Sequence, residues 1–281
     1  EILEGIKANN IFASLNIKDN QIYLDSTLEL REKINPLARK SLYDIDLSDY
    51  SFKNSKDIAL IRNPQKILAS DNKDIYSKLI GYYLRDYLNK LNLPMAEKIL
   101  KLESGPIILT LNNKLWTIES SDNSITPQLN KDLITNKFIR STINLENKIF
   151  NIWFKLEMNE YNDNYNLSEK IALISAQESD IIVWGNQISN IGKENISEQF
   201  SISANQFKEN NEHSKNYFNQ QLYLSIDSTQ KLLKQWKPLQ LLNTIDGNSL
   251  RPYIKNLVLA LGTEKVNDKS LLHLHATLSI E

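Results

Sequence analysis

The sequence predicts an α+β protein: an extended antiparallel sheet built from repeated strand–helix–hairpin units, with helices packed on one face. Three observations predict it. A hairpin pattern occurs near both ends of the chain. Asn10-Ile11-Phe12-Ala13-Ser14-Leu15 leads through a polar turn into 22–30, and Asn256-Leu257-Val258-Leu259-Ala260-Leu261 leads into 272–280. Apolar positions line up, Thr27-Leu28 recurs as Thr277-Leu278, and the turn differs in length. Internal repetition of this kind governs architecture. A strand followed by a capped helix also occurs twice: 57–61 before Asn63-Pro64-Gln65-Lys66-Ile67-Leu68, and 222–226 before Ser228-Thr229-Gln230-Lys231-Leu232-Leu233. Between these units, apolar and polar residues alternate with the period of a half-buried strand.

Taken in order, 11–17 and 21–30 read as a hairpin. Ile22, Leu24, Leu28 and Leu30 share one face, and Tyr23, Asp25, Thr27 and Glu29 the other, one buried and one wet. Residues 31–55 read as a loop with a short helix. The strand 57–61 is followed by Asn63 at an N-cap and Pro64 at the first helical position, a specific helix start. A helix over 75–91 carries the apolar stripe Ile80, Leu84, Tyr87, Leu88 and Leu91. Pro94 opens a shorter helix to Leu102, and Ser104-Gly105-Pro106 breaks the chain before a hairpin of 107–111 and 115–119 turning at Asn112-Asn113. Strands follow at 148–158, 171–175 and 180–184. Residues 186–220 read as a polar helical region with Phe200 and Phe207 inward, and a last helix lies around Leu232, Leu233 and Trp236 before Pro238. The organisation is a tail hairpin of a truncated unit at 1–31, a full unit at 57–119, a diverged strand-rich unit at 134–185 and another unit at 222–281. The chain enters the second half of a unit almost at once after Glu1, which leads us to expect an excised or processed chain with its partner strand upstream.

Composition narrows the function classes. Apolar residues make up 41% and charged residues 24% of 281, the balance of a globular chain with a sizeable core. The 33 basic and 34 acidic residues nearly cancel and form no long basic block, so the electrostatic footprint of a nucleic-acid binder is missing. No cysteine is present, which excludes disulfides, thiolate metal sites and a cysteine nucleophile. The seven glycines fall in no phosphate-cradling pattern, and no cofactor is implied.

Few residues suggest chemistry. His273 and His275 form a His-x-His on one strand, so both side chains share a face and could begin a metal site. Such a site needs further ligands, and the aligned positions of the first hairpin hold Tyr23 and Asp25, as a solvated strand face does. His213 lies in a very polar stretch and reads as exposed helix surface. The pairs Glu157/Glu160 and Glu178/Asp180 could serve acid–base work, but serial carboxylates are ordinary on wet faces, and Glu178 and Asp180 flank a turn. Trp153 sits opposite Phe150, Ile152 and Phe154, so its strand is apolar on both sides. Either a helix covers the second face, or a cavity there holds a lipid or pigment. Tyr76, Tyr82, Tyr83 and Tyr87 extend beyond the apolar stripe of their helix, and Tyr83 and Tyr87 with Trp153 are the candidate ligand-binding residues.

The hairpin endings Thr27-Leu28-Glu29-Leu30 and Thr277-Leu278-Ser279-Ile280, with the strand and capped helix at 222–233, resemble a family of uncharacterised cyanobacterial proteins with a repeated domain of unknown function. The heavy use of Asn, Ile and Lys is similar to that of low-GC marine cyanobacteria. The resemblance implies a cell-envelope location, periplasm or thylakoid lumen, with a membrane anchor upstream of Glu1, and brings no catalytic residues. The expectation is therefore a non-enzymatic binding or assembly module with a protein partner, near a membrane and without nucleic acid. A carrier of a hydrophobic ligand and a carboxylate-based enzyme are the alternatives.

Overall fold

The computed structural model describes residues 8–31, 57–69, 75–145, 147–161, 164–178, 180–188, 218–235 and 254–280. These form one continuous, open, antiparallel sheet of twelve strands with five helices. The strands are β1 (Ala8–Lys18), β2 (Gln21–Leu30), β3 (Asp57–Ile61), β4 (Ile107–Asn112), β5 (Leu115–Ser120), β6 (Ile139–Leu145), β7 (Lys148–Tyr161), β8 (Asn164–Glu178), β9 (Ile181–Gly185), β10 (Phe218–Leu224), β11 (Ile254–Val266) and β12 (Lys269–Ile280). Their spatial order is β1-β2-β12-β11-β10-β3-β4-β5-β9-β8-β7-β6. The helices are α1 (Pro64–Leu68), α2 (Ile75–Leu91), α3 (Pro94–Leu102), α4 (Thr126–Thr135) and α5 (Ile226–Gln235).

Several elements stand where the sequence puts them. The Asn63 side chain caps α1 by accepting from the Lys66 N–H at 2.8 Å, with Pro64 following it. The bounds of α2 and α3 are as expected, as is the hairpin of β4 and β5. Two elements were not anticipated. Helix α4 buries only Leu129 and Leu133 in an otherwise polar run, a pattern too sparse to read, and β6 is an edge strand whose residues are mostly exposed. Several boundaries change, and the strands read at 148–158 and 171–175 lengthen into β7 and β8, which pair from Phe150 to Tyr161. Strand β10 begins at Phe218, inside the stretch read as helical, because β3 and β11 pair with it on both sides. It ends at Leu224, and α5 starts at Ile226 rather than after a cap at Ser228. The first helical bond runs from the Thr229 N–H to Ser225 O. His213, Phe200, Phe207, Trp236 and residues 32–55, read from the sequence as a loop with a short helix, lie outside the described residues.

The middle of the sheet is buried on both faces. One cluster joins helix residues Ile67, Leu88, Ile99, Leu100, Leu129 and Leu133 to strand residues that include Ile107, Trp116, Trp153 and Trp184. The other collects Ile58, Leu60, Ile108, Phe150, Ile174, Val183 and Val258. Central strands therefore read as unbroken apolar runs, as in Ile181-Ile182-Val183-Trp184. Trp153 is 1% exposed and belongs to the helix-bearing cluster, while Phe150 belongs to the other.

The two terminal hairpins share their pairing position for position. Phe12 faces Thr27 as Val258 faces Thr277, and Leu15 faces Leu24 as Leu261 faces Leu274. The register shift between Ala8 and Asn10 recurs between Ile254 and Asn256. Both turn through two residues at positive φ, Asp19-Asn20 and Asn267-Asp268. The second hairpin is longer by the pairs Lys265–Ser270 and Val266–Lys269.

Gly81 marks a close helix crossing. A Cβ there would lie 2.2 Å from the Ile67 carbonyl oxygen, so α1 can rest on α2 only at a residue without a side chain. Gly81→Ala is expected to lower stability by about 1–3 kcal/mol through overpacking, although Ala favours a helix interior by about 1 kcal/mol. The urea midpoint measures this, and a midpoint at or above the parent's would contradict the close crossing.

Candidate functional site

Three polar constellations and one sheet edge are where chemistry or recognition could reside. The first lies across β2, β12 and β11. Asp25 and His275 face each other directly in the β2–β12 ladder. His275 Nδ1 lies 2.5 Å from Asp25 Oδ1, and His275 Nε2 lies 3.2 Å from Thr277 Oγ1. The neutral tautomer that satisfies both partners donates from Nδ1 to the carboxylate and accepts from the Thr277 hydroxyl at Nε2. Beside it, His273 Nδ1 is 3.1 Å from Thr27 Oγ1, and its Nε2 is 3.4 Å from Glu264 Oε2. Burial lowers the pKa of His273, and the Glu264 carboxylate opposes that shift.

Hydroxyl, imidazole and carboxylate in that order are the parts of a nucleophilic triad. The accessibility, however, runs the opposite way. His275 is 4% exposed and Thr277 is also buried, whereas the Asp25 side chain is the exposed member. A nucleophile must meet its substrate, so the network serves as a lock between strands. This corrects the expectation of a solvated face. Strands β2 and β11 flank β12 and offer Asp25, Thr27 and Glu264 as partners, so the histidines are sheltered without losing their hydrogen bonds. Among the described residues, no three His, Asp or Glu side chains form a group that could hold a metal ion.

The second constellation is Asp57, buried at the start of β3. Its Oδ1 accepts from the Ser225 N–H and the Ser225 hydroxyl, both at 3.0 Å. Its Oδ2 accepts from the Ser228 hydroxyl at 2.6 Å and the Tyr87 hydroxyl at 3.0 Å. The carboxylate thus ties α2 to β3 and sits at the N-terminus of α5, where the helix dipole favours a negative charge. Ser228 is used here, which explains why it is not the helix cap. Burial, reinforced by the Asp57 charge, pushes the Tyr87 hydroxyl well above its ordinary value and keeps it a neutral donor. A reciprocal tie closes the other end of the same strand pair: Gln220 Oε1 accepts from the Arg62 N–H at 3.2 Å.

The third is Glu103, 0% exposed in the break between α3 and β4. Its Oε1 accepts from the Gly105 N–H at 3.1 Å, and its Oε2 is buried with no hydrogen-bond partner among the described residues. A Cβ at Gly105 would lie 3.3 Å from both Glu103 Oε1 and Asp122 Cβ, which places the two acids around this glycine. Burial pushes the Glu103 carboxyl up to about 7, the Gly105 N–H pulls it down, and Asp122 raises it further.

The remaining expected residues disperse. Tyr82 and Tyr83 are half exposed and meet edge to face, with ring centres 5.6 Å apart. Tyr87 turns inward to Asp57, and Trp153 is packed in the core with the Arg140 guanidinium 5.8 Å from its ring centre. Tyr83 therefore stands apart from the other two. Glu157 pairs with Lys170 at 2.9 Å on the surface, Asp180 is exposed, and the side chains of Glu160, Glu178 and Tyr76 lie outside the described residues.

The edge strand β1 was not singled out from the sequence as a site. Ile11, Leu15 and Ile17 on one side are 66–67% exposed, and Phe12 on the other is similarly bare. From Ala8 to Ile17 it carries no charge, proline or glycine. Edge strands are normally blunted by such residues. The signal was available as a strand with an apolar row and no gatekeeper, but only the topology shows that it lies at an edge.

Two predictions follow from the buried acids. Asp57→Ala should cost about 2–4 kcal/mol, because it leaves buried donors without an acceptor, and Tyr87→Phe only about 1 kcal/mol. Equal losses in chemical denaturation would contradict the network. For Glu103, the folded-state value lies above the ordinary 4.5, so the native state holds a proton that the unfolded chain has released between pH 4.5 and about 7. Stability is therefore present in full below that window and is lost as pH rises through it. Glu103→Gln should raise the thermal midpoint by a few degrees at pH 8 and change it little at pH 4.5. A pH-independent effect would contradict the buried acid. Comparison of the chain with protein-family models, curated proteins and solved structures finds no match to any of them.

Proposed function

We propose that this protein is a non-enzymatic binding and assembly module that engages a protein partner by strand addition at the edge of its sheet. One observation carries the reading: β1 is a long strand, uncharged from Ala8 to Ile17 and with exposed apolar side chains, that pairs on one side only among the described residues. Extended partners commonly join a sheet in this way, the backbone giving affinity and alternate side chains giving specificity. The polar constellations that might have indicated catalysis are occupied in holding strands and helices together, and the exposed members of the acid pairs lie on the surface. The reading includes the duplication. On this reading the units 57–119 and 222–281 adjoin through the β3–β10 pair, and the shared register of the two terminal hairpins supports a common origin for those hairpins. Kinship with the cyanobacterial envelope family belongs to the same proposal. The carrier reading rests on the two-sided strand at Trp153, and the packing of Trp153 among helix residues favours assembly over it.

Native mass spectrometry of the purified chain, followed by solvent extraction, tests the reading. A bare mass, alone or in multiples, is the expected result. A stoichiometric extra mass that extracts as lipid or pigment would overturn it in favour of a carrier.

A further inference from the structure

We infer that the open edge of β1 accepts an antiparallel strand of the β10 type, with Leu222 of that strand type opposite Ala13 and Leu224 opposite Ile11. The inference rests on the assembly reading above and names the partner. It starts from the hairpin registers. Strands β1 and β2 pair as β11 and β12 do, residue for residue, with the same irregularity one residue past the first pair. In each hairpin the second strand joins the other across the β2–β12 ladder, where Asp25 faces His275. The first strand of each then has one side left. On β11 that side is taken by β10: Leu224 faces Leu257, Tyr223 faces Val258, Leu222 faces Leu259, and Gln220 faces Leu261. On β1 no described strand takes the corresponding side. Carrying the pairing across places Leu224 against Ile11, Tyr223 against Phe12, Leu222 against Ala13 and Gln220 against Leu15.

The chemistry of the edge agrees with that occupant. Ile11, Ala13, Leu15 and Ile17 form an aliphatic row that matches Leu257, Leu259 and Leu261, the row that meets Leu222 and Leu224 within the chain. Phe12 offers an aromatic neighbour where Val258 meets Tyr223. The opposite edge strand, β6, also carries apolar residues at alternate positions (Ile139, Ile143 and Leu145) but differs in length and in charge. Strand β6 has 7 residues against 11 in β1, and its Arg140 is held by Asn151 at 2.6 Å and lies over Trp153. A cation on a short edge strand discourages pairing. The partner is therefore a neutral extended segment with aliphatic residues at alternate positions, such as another unit of the same strand–helix–hairpin construction would present.

Because the chain has no cysteine, disulfide trapping reads the register directly. The Ala13→Cys chain is incubated with a synthetic peptide of the Phe218–Leu224 sequence carrying Leu222→Cys. A second peptide carries Gln221→Cys, whose side chain would point to the other face, and a third has a scrambled order. The first peptide should form the mixed disulfide about tenfold faster than the others, since only directly opposed side chains meet disulfide geometry. Hydrogen exchange of the parent chain with the unmodified peptide should protect the β1 amides alone. Equal trapping of all peptides, protection of β11 in place of β1, or pairing of two β1 strands that excludes the peptide would each overturn the inference. A bare chain that fails to trap the peptide defeats this inference only, whereas a chain that carries lipid or pigment defeats the assembly reading.

Discussion

The antiparallel pairing of β3 with β10 is the joint on which the remaining architecture depends. Strands 158 residues or more apart in sequence meet there, and each end of the pair is tied by a side chain: Asp57 to Ser225, and Gln220 to Arg62. On one side, β4 and β5 extend the sheet toward the long β6–β9 meander and provide the floor for α1 to α4. On the other, β11, β12 and β2 extend it to the open edge at β1. Asp57 has the further task of orienting α5 and anchoring α2 through Tyr87. A buried carboxylate is tolerable because every lone-pair direction has a donor, and removing the acceptor would leave several hydroxyl groups unpaired together.

The same economy governs the other polar groups. His275 and Asp25 lock the second strands of the two hairpins, and His273 is braced between Thr27 and Glu264. Glu103 differs in that burial, reinforced by the Asp122 charge, outweighs its hydrogen bonds, so its charge is disfavoured and its proton is held to near-neutral pH. The one exposed member, the Asp25 carboxylate, is taken up by His275. What the surface does offer is backbone: a strand, β1, whose outer hydrogen-bonding groups pair with no other described strand and whose aliphatic side chains are exposed. Recognition by strand addition uses those groups and needs no catalytic apparatus.

Much of the fold was legible because local rules and tertiary needs agreed. Asn63-Pro64 starts a helix in isolation and in context, the stripe from Ile80 to Leu91 needs one buried face, and the alternation in 148–158 places Trp153 and Phe150 on opposite sides of a strand. Reading failed where the deciding partner was distant. Ser228 resembles a helix cap, but Asp57 draws its hydroxyl away and the helix starts earlier. Helix α4 has too few apolar residues to show itself, since Leu129 and Leu133 suffice against a core that already contains three tryptophans. His273 and His275 look solvent-facing beside Tyr23 and Asp25 in sequence, and only the β2–β12 ladder reveals that the two rows face each other and shelter the rings.

By itself the amino-acid sequence determined the elements whose signals are carried within a few residues: periodicity, caps, breaks and the matching hairpins at the two ends. Tertiary structure alone decided which strands become neighbours, because antiparallel pairing between distant segments is selected by the burial of whole faces and not by any local pattern. That choice turned Asp57 into a hub and the histidines into a lock. It also placed β1 at the edge of the sheet formed by the described residues, whereas β11 is flanked on both sides.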